Sequence, residues 1–169
     1  TVIGENYAQE LVAKRNTIER RSPKVEFIGR LQTNKVRLVA DLVDVWASVD
    51  RAAVIGEIAK RAAGARILVQ VDSAEDPDKG GCPVREVARL VSIARDQGLV
   101  VDGLMTVGPT GRAPEAARSG FRTVRGLVDD LGLTVCSMGM SGDLVVAIEE
   151  GATEVRVGTA LFGPRPPRG

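Results

Sequence analysis

Thr134-Val-Cys-Ser137-Met138-Gly139-Met140-Ser141-Gly142-Asp143, then a short apolar stretch, then Glu154-Val-Arg156-Val-Gly158-Thr159-Ala-Leu-Phe-Gly163: this segment decides the fold. It reads as strand, glycine-rich turn, helix, strand, glycine-rich turn. Two small-residue turns after successive strands gather backbone N–H groups, and with a helix start they make an anion site suited to a phosphate. In a (β/α) barrel, the loops after the last two strands are where a phosphate usually sits. Competing readings apply at the polar residues. Ser141 or Asp143 is either a plain helix cap or a phosphate neighbour. Arg156, between Val155 and Val157 in a strand expected to be buried, needs either a glutamate counter-charge or a ligand heteroatom.

The same alternation runs outward through the chain. Strands are predicted at 2–3, 25–28, 43–49, 66–71, 101–106, 134–136 and 155–157, and helices at about 6–21, 33–42, 51–63 and 142–151. Two further helical faces are lined by Val84, Val87, Ala88, Val91 and Ala94, and by Ala117, Phe121, Val124, Val128 and Leu131. Strands separated by helices imply a parallel sheet. No G-x-G-x-x-G opens a helix after a strand, so a dinucleotide fold has little support. The expectation is an α/β fold, a TIM-type (β/α) barrel over residues 1–163, followed by a flexible tail at 164–169. A complete barrel of this kind typically needs about 250 residues. With seven strands counted, the first βα unit is expected to be missing, leaving a gap beside the last strand or a homodimer that covers the exposed edge.

Bulk properties exclude several classes. The 169 residues, 44% apolar and 27% charged, suit one ordinary globular domain. A net charge of +1 and only 3% aromatics argue against nucleic acid or an anionic membrane as partner. Cys82 and Cys136 match no disulfide or zinc pattern, and the chain has no histidine, so no metal site is expected. Cys82 lacks a histidine to activate it and reads as a small apolar residue. With no signal peptide or long apolar run, the expected location is the cytoplasm.

Every unusual polar cluster follows a predicted strand: Gly4–Tyr7 with Asn6, Gly29–Lys35, Asp72–Gly81, Met105–Pro109, 137–143 and 156–159. In a parallel barrel these loops share one face, the active one. The bland alternatives are a capped helix after Asn6, another after Thr33, and a surface turn at Asp76-Pro-Asp78-Lys79-Gly80-Gly81.

Taken together, Gly4-Glu-Asn6-Tyr-Ala-Gln-Glu10, Phe27-Ile-Gly29-Arg-Leu-Gln32-Thr-Asn34-Lys35, Lys79-Gly-Gly, Gly103-Leu-Met105, Ser137-Met-Gly-Met-Ser141 and Arg156-Val-Gly158-Thr159-Ala-Leu-Phe-Gly163 resemble the pyridoxal phosphate homeostasis proteins. This small family is related to the N-terminal barrel of alanine racemase, and the resemblance runs from residue 1 to about 163. It implies a single-domain barrel that binds pyridoxal 5′-phosphate and has no catalytic residues. It further implies that Ser137, Gly158 and Thr159 hold the phosphate, with Met138 and Ser141 beside them. Arg156 would face the pyridine nitrogen, and Asn6 and Met105 would line the pocket.

The sequence departs from that family in two places. The Schiff-base lysine lies in a segment that would precede Thr1, so covalent attachment of the cofactor is not expected, and a phosphate or sulfate ion is an alternative occupant of the cup. The histidine that usually precedes Phe-Ile-Gly is replaced by Glu26. The alternatives are a fragment of a racemase-type enzyme and a barrel protein for another phosphorylated ligand.

Overall fold

A strand followed by a helix can return to a parallel neighbour only by crossing back over the sheet, and this chain does so repeatedly. The computed structural model describes residues 1–74 and 80–163. Its strands are β1 (Val2–Glu5), β2 (Lys24–Phe27), β3 (Val45–Val49), β4 (Arg66–Asp72), β5 (Cys82–Pro83), β6 (Val100–Thr106) and β7 (Val135–Ser137). All pair in parallel in the order β1-β2-β3-β4-β6-β7, with β5 adding a two-residue pairing to β4. The helices are α1 (Ala8–Ala13), α2 (Arg15–Arg21), α3 (Thr33–Val39), α4 (Ala52–Arg61), α5 (Val87–Asp96), α6 (Arg118–Asp130), α7 (Leu144–Glu149) and α8 (Thr159–Phe162).

Strand alternation sorts the side chains between two faces. Val25 and Phe27, Ile67 and Val69, and Leu104 and Cys136 join the main core with helix residues such as Leu11, Val54 and Phe121. Fully burying such a side chain contributes roughly 1.5–3 kcal/mol, so this helix-facing layer carries most of the stability. The opposite, concave face holds a smaller apolar cluster of Val45, Ala47, Leu68 and Met105. Glu26, Gln70 and Ser137, at the intervening positions, are also buried. The inside is therefore part apolar and part polar.

Trp46, the single tryptophan, lies on the helix side of β3 with Phe27 at a centroid distance of 6.2 Å. Its indole N–H is buried and finds no acceptor among the described residues.

Two expected elements differ. The strand predicted at 155–157 is reduced to one parallel bridge between Ser137 and Glu154, because beyond it the chain hydrogen-bonds to the turn after β7. The helix predicted at 6–21 is divided at Lys14, whose ammonium reaches 2.7 Å to the buried Glu5 carboxylate. The tail at 164–169 and residues 75–79, including Lys79, lie outside the described residues.

The sheet is open: β1 pairs only with β2 among the described residues. It still curls far enough for Glu154, past β7, to interact with Glu26 of β2. Beyond β7, Val145, Ile148, Leu161 and Phe162 are exposed, Phe162 at 86%.

One close approach fixes the loop after β2. A Cβ on Gly29 would stand 1.9 Å from the Asn6 carbonyl oxygen, which is backbone and cannot rotate away. Gly126, inside α6, has nothing within 4 Å of the same position. Gly29→Ala is therefore expected to lower unfolding stability by more than about 2 kcal/mol, whereas Gly126→Ala raises it by about 0.5–1 kcal/mol. Denaturant titration of the two variants checks both signs.

Candidate functional site

The turn after β7 and the segment after Glu154 lie side by side. The Met138 amide donates to the Glu154 carbonyl at 3.0 Å, and the Arg156 amide donates to the Gly139 carbonyl at 2.9 Å. The Ala160 amide reaches the Ser141 hydroxyl at 3.3 Å, closing the second turn onto the first. Gly139 adopts φ +94°, a left-handed conformation that glycine takes without strain. Asp143 does not cap α7 through its own side chain; its carboxylate accepts the Met140 amide at 2.7 Å and braces the turn. Arg118 of α6 grips Glu149 and Glu150 at 2.6 and 2.8 Å, holding the C-terminal end of α7 in place.

Arg156 enters the concave side of the sheet. Its Nη1 donates to the Ser137 hydroxyl and its Nη2 to the Thr106 carbonyl, both at 2.7 Å. Ser137 in turn donates to the Glu154 carboxylate at 2.6 Å. Burial pulls the guanidinium below its usual pKa, while Glu154, Asp143 and Glu26 support its charge. The counter-charge reading of Arg156 is thus met, since the glutamate Glu154 shares the Ser137 hydroxyl with it and supports its charge. Glu26 is held the other way. Burial first, and then the facing Glu154, push its carboxyl from 4.5 up to about 7. Lys24, 3.9 Å away, offsets only part of this.

Of the residues read from the sequence, Ser137, Ser141, Arg156, Gly158 and Thr159 are brought into these two adjoining turns. Ser137 is fully buried and engaged by Arg156 and Glu154, whereas Ser141, Gly158 and Thr159 are exposed. Met138 points its side chain to the helix layer, with its sulfur 3.6 Å from that of Cys136, so only its backbone belongs to the turn. Met105 is paired in register with Ser137 and sits in the concave cluster. Asn6 lies elsewhere, in a rim cleft of about 650 Å³ with Arg30, Gln32 and Lys35. Cys82 is buried and its thiol is pushed up to about 12, which leaves it no nucleophilic character at neutral pH. Among the described residues no three or more acidic or cysteine side chains group to hold a metal, and no helix is long and apolar enough to cross a membrane.

Residues 2–166 match the family model of the alanine racemase N-terminal domain. The pyridoxal phosphate homeostasis protein of Aquifex aeolicus is 41% identical over 97% of this chain and 77% of its own length. That of Pseudomonas aeruginosa is 37% identical over 96% and 74%. This chain belongs to the pyridoxal phosphate homeostasis family within the alanine racemase N-terminal domain group. The family's solved PipY from Synechococcus elongatus, with PLP bound, superposes with a TM-score of 0.84 at 31% identity, covering 95% of this chain and 80% of PipY. Lysine decarboxylase from Selenomonas ruminantium, at 18% identity and a TM-score of 0.72 over 94% of this chain and 49% of its own, shares the fold.

Within this family member, Glu26, Glu154 and Thr106 are the site residues that sequence reasoning missed. A signal was present for the face of one of them: Glu26 stands between Val25 and Phe27, so alternation puts its carboxyl on the concave face, though not its partner across the sheet.

The raised Glu26 carboxyl has a consequence for stability. Between pH 4.5 and about 7, folded Glu26 keeps a proton that the unfolded chain has released. Its contribution is complete below 4.5 and is lost as the pH rises through 7. Denaturation of the wild type and of Glu26→Gln at pH 5 and pH 8 should show the wild type losing more stability between them, by up to roughly 3 kcal/mol. Equal losses in the two proteins would contradict the assignment.

Proposed function

We propose that this chain binds pyridoxal 5′-phosphate without covalent attachment by its described lysines, and serves as a non-catalytic reservoir of the cofactor in the cytoplasm. The observation that carries this is the pair of clasped turns. The amides of Gly158 and Thr159, at the open start of α8, take no partner among the described residues. Unpaired N–H groups on exposed glycine-rich backbone suit a phosphate. The residues present therefore fit the phosphate group, and Arg156 beside them fits the ring. That PipY was solved with PLP bound supports the same reading.

When bound, the cofactor supplies an electron-accepting ring. The guanidinium of Arg156 stays charged, and a permanent positive charge beside a ring nitrogen disfavours protonation there. Arg156 thus restrains electron withdrawal by the ring, which suits storage better than turnover. Ser137 and the Thr106 carbonyl fix the guanidinium, and Glu154 supplies its counter-charge. The described lysines lie elsewhere or are engaged: Lys14 pairs with Glu5, Lys24 approaches Glu26, Lys35 sits in the rim cleft and Lys60 is exposed on α4. The buried, unpaired cysteines agree with a reducing compartment.

Titration with pyridoxal 5′-phosphate, followed by its absorbance on equilibrium dialysis, tests the site. Arg156→Gln and Gly158→Pro should each weaken binding at least tenfold. Unchanged affinity in both variants would sink the proposed location. Incubation of the loaded protein with L-alanine should yield no D-alanine or pyruvate, and sustained formation of either would show that the chain is an enzyme.

A further inference from the structure

The rim cleft around Asn6 is not used by this reading. It opens where the chain leaves β1, β2 and β3, between the starts of α1 and α3. It reaches Phe27, whose side chain belongs to the helix-facing core, whereas Glu26 and Arg156 interact on the concave side. None of the cleft's described lining residues belongs to the turns around Gly158.

Among its described lining residues cations outnumber acids. The one carboxylate there, Asp50, pairs with Arg51 at 2.5 Å, and Arg51 also donates to the Leu31 carbonyl at 2.7 Å. The remaining cations, Arg30 and Lys35, have no ion-pair or side-chain hydrogen-bond partner among the described residues. Lys35 lies in the first turn of α3, where a positive charge opposes the helix dipole, and no acidic residue in that turn relieves it. Helix stability does not account for a lysine there.

The backbone carrying Arg30 is fixed on both sides. Gly29 is pressed against the Asn6 carbonyl and its own carbonyl accepts the Ser48 hydroxyl. Leu31 is 1% exposed and its carbonyl is held by Arg51. A cation on prearranged backbone loses less freedom when a ligand arrives. Asn6, Gln9 and Gln32 add amide donors to the same lining. A recess of about 650 Å³ has the size of a small-molecule site.

We propose that this cleft is a second binding site, for a small phosphorylated molecule, with Arg30 and Lys35 neutralising its phosphate and Asn6, Gln9 and Gln32 bonding its remaining oxygens. Arg30 supplies a planar fork of donors that matches phosphate oxygens, and Lys35 supplies a point charge. The site is independent of the cofactor reading above.

The probe is sodium pyrophosphate, titrated at constant ionic strength into the isotopically labelled full chain, with the side-chain amides of Asn6, Gln9 and Gln32 followed by NMR. These signals should shift saturably. The double variant Arg30→Gln, Lys35→Gln should weaken the interaction at least tenfold, while Arg156→Gln leaves it within about twofold. Arg30 is exposed and Lys35 half-buried, and circular dichroism verifies that the double variant keeps its fold. Absence of a saturable shift, or equal affinity in the double variant, would overturn the proposal. Tighter binding of citrate than of pyrophosphate would overturn the phosphate class. Loss of cofactor binding in Arg156→Gln, with the pyrophosphate shifts intact, would separate the two sites.

Discussion

A guanidinium drawn largely into a curled sheet needs partners there, because burial strips away much of its water. Arg156 meets that condition through a short chain of contacts: the Ser137 hydroxyl and Thr106 carbonyl hold it, and Glu154 balances its charge. The contacts come from β6, β7 and the bridge after β7, so one side chain ties together strands far apart in sequence. The geometry of the two glycine-rich turns follows from the same anchoring, since the Arg156 amide bonds to Gly139 while its side chain is held below.

This arrangement sets two carboxyls near one guanidinium, and burial does not tolerate two adjacent negative charges. Glu26 resolves the conflict by keeping its proton to about pH 7. A histidine at that position, as in the family's usual pattern, would bring a positive charge or none. The glutamate brings a negative charge or none. The cluster around Arg156 therefore gains negative charge on titration in the range where a histidine version would lose positive charge.

Much of the fold was legible in the sequence because strand and helix periods differ and the glycine-rich turns follow strands. Six of the predicted strands are present with shifts of a few residues at their ends. The seventh was misread because Val155-Arg156-Val157 alternates as a strand does, while its backbone hydrogen bonds go to the turn at Gly139. β5 was not visible because Cys82–Pro83 is too short to show a period. The two glycine-rich turns were legible as composition. The glutamates around Arg156 were not, because a single acid in a strand does not reveal which distant residue it faces across a curled sheet. Likewise, Asn6 lies on the expected rim of the barrel, but adjacency to Arg30 and Lys35 depends on the close approach at Gly29.

Trp46 gives the molecule an optical reporter of its own. It is the only indole in the chain, is wholly buried, and its N–H has no acceptor among the described residues. Such an environment favours emission at short wavelength, with little of the relaxation that water imposes on an exposed indole. Phe27, its ring neighbour, also reaches the rim cleft, while the strand that carries Trp46 places Val45 and Ala47 against the concave cluster. One fluorophore therefore adjoins the ring that lines the rim cleft, and its colour and intensity register the packing of the sheet from within.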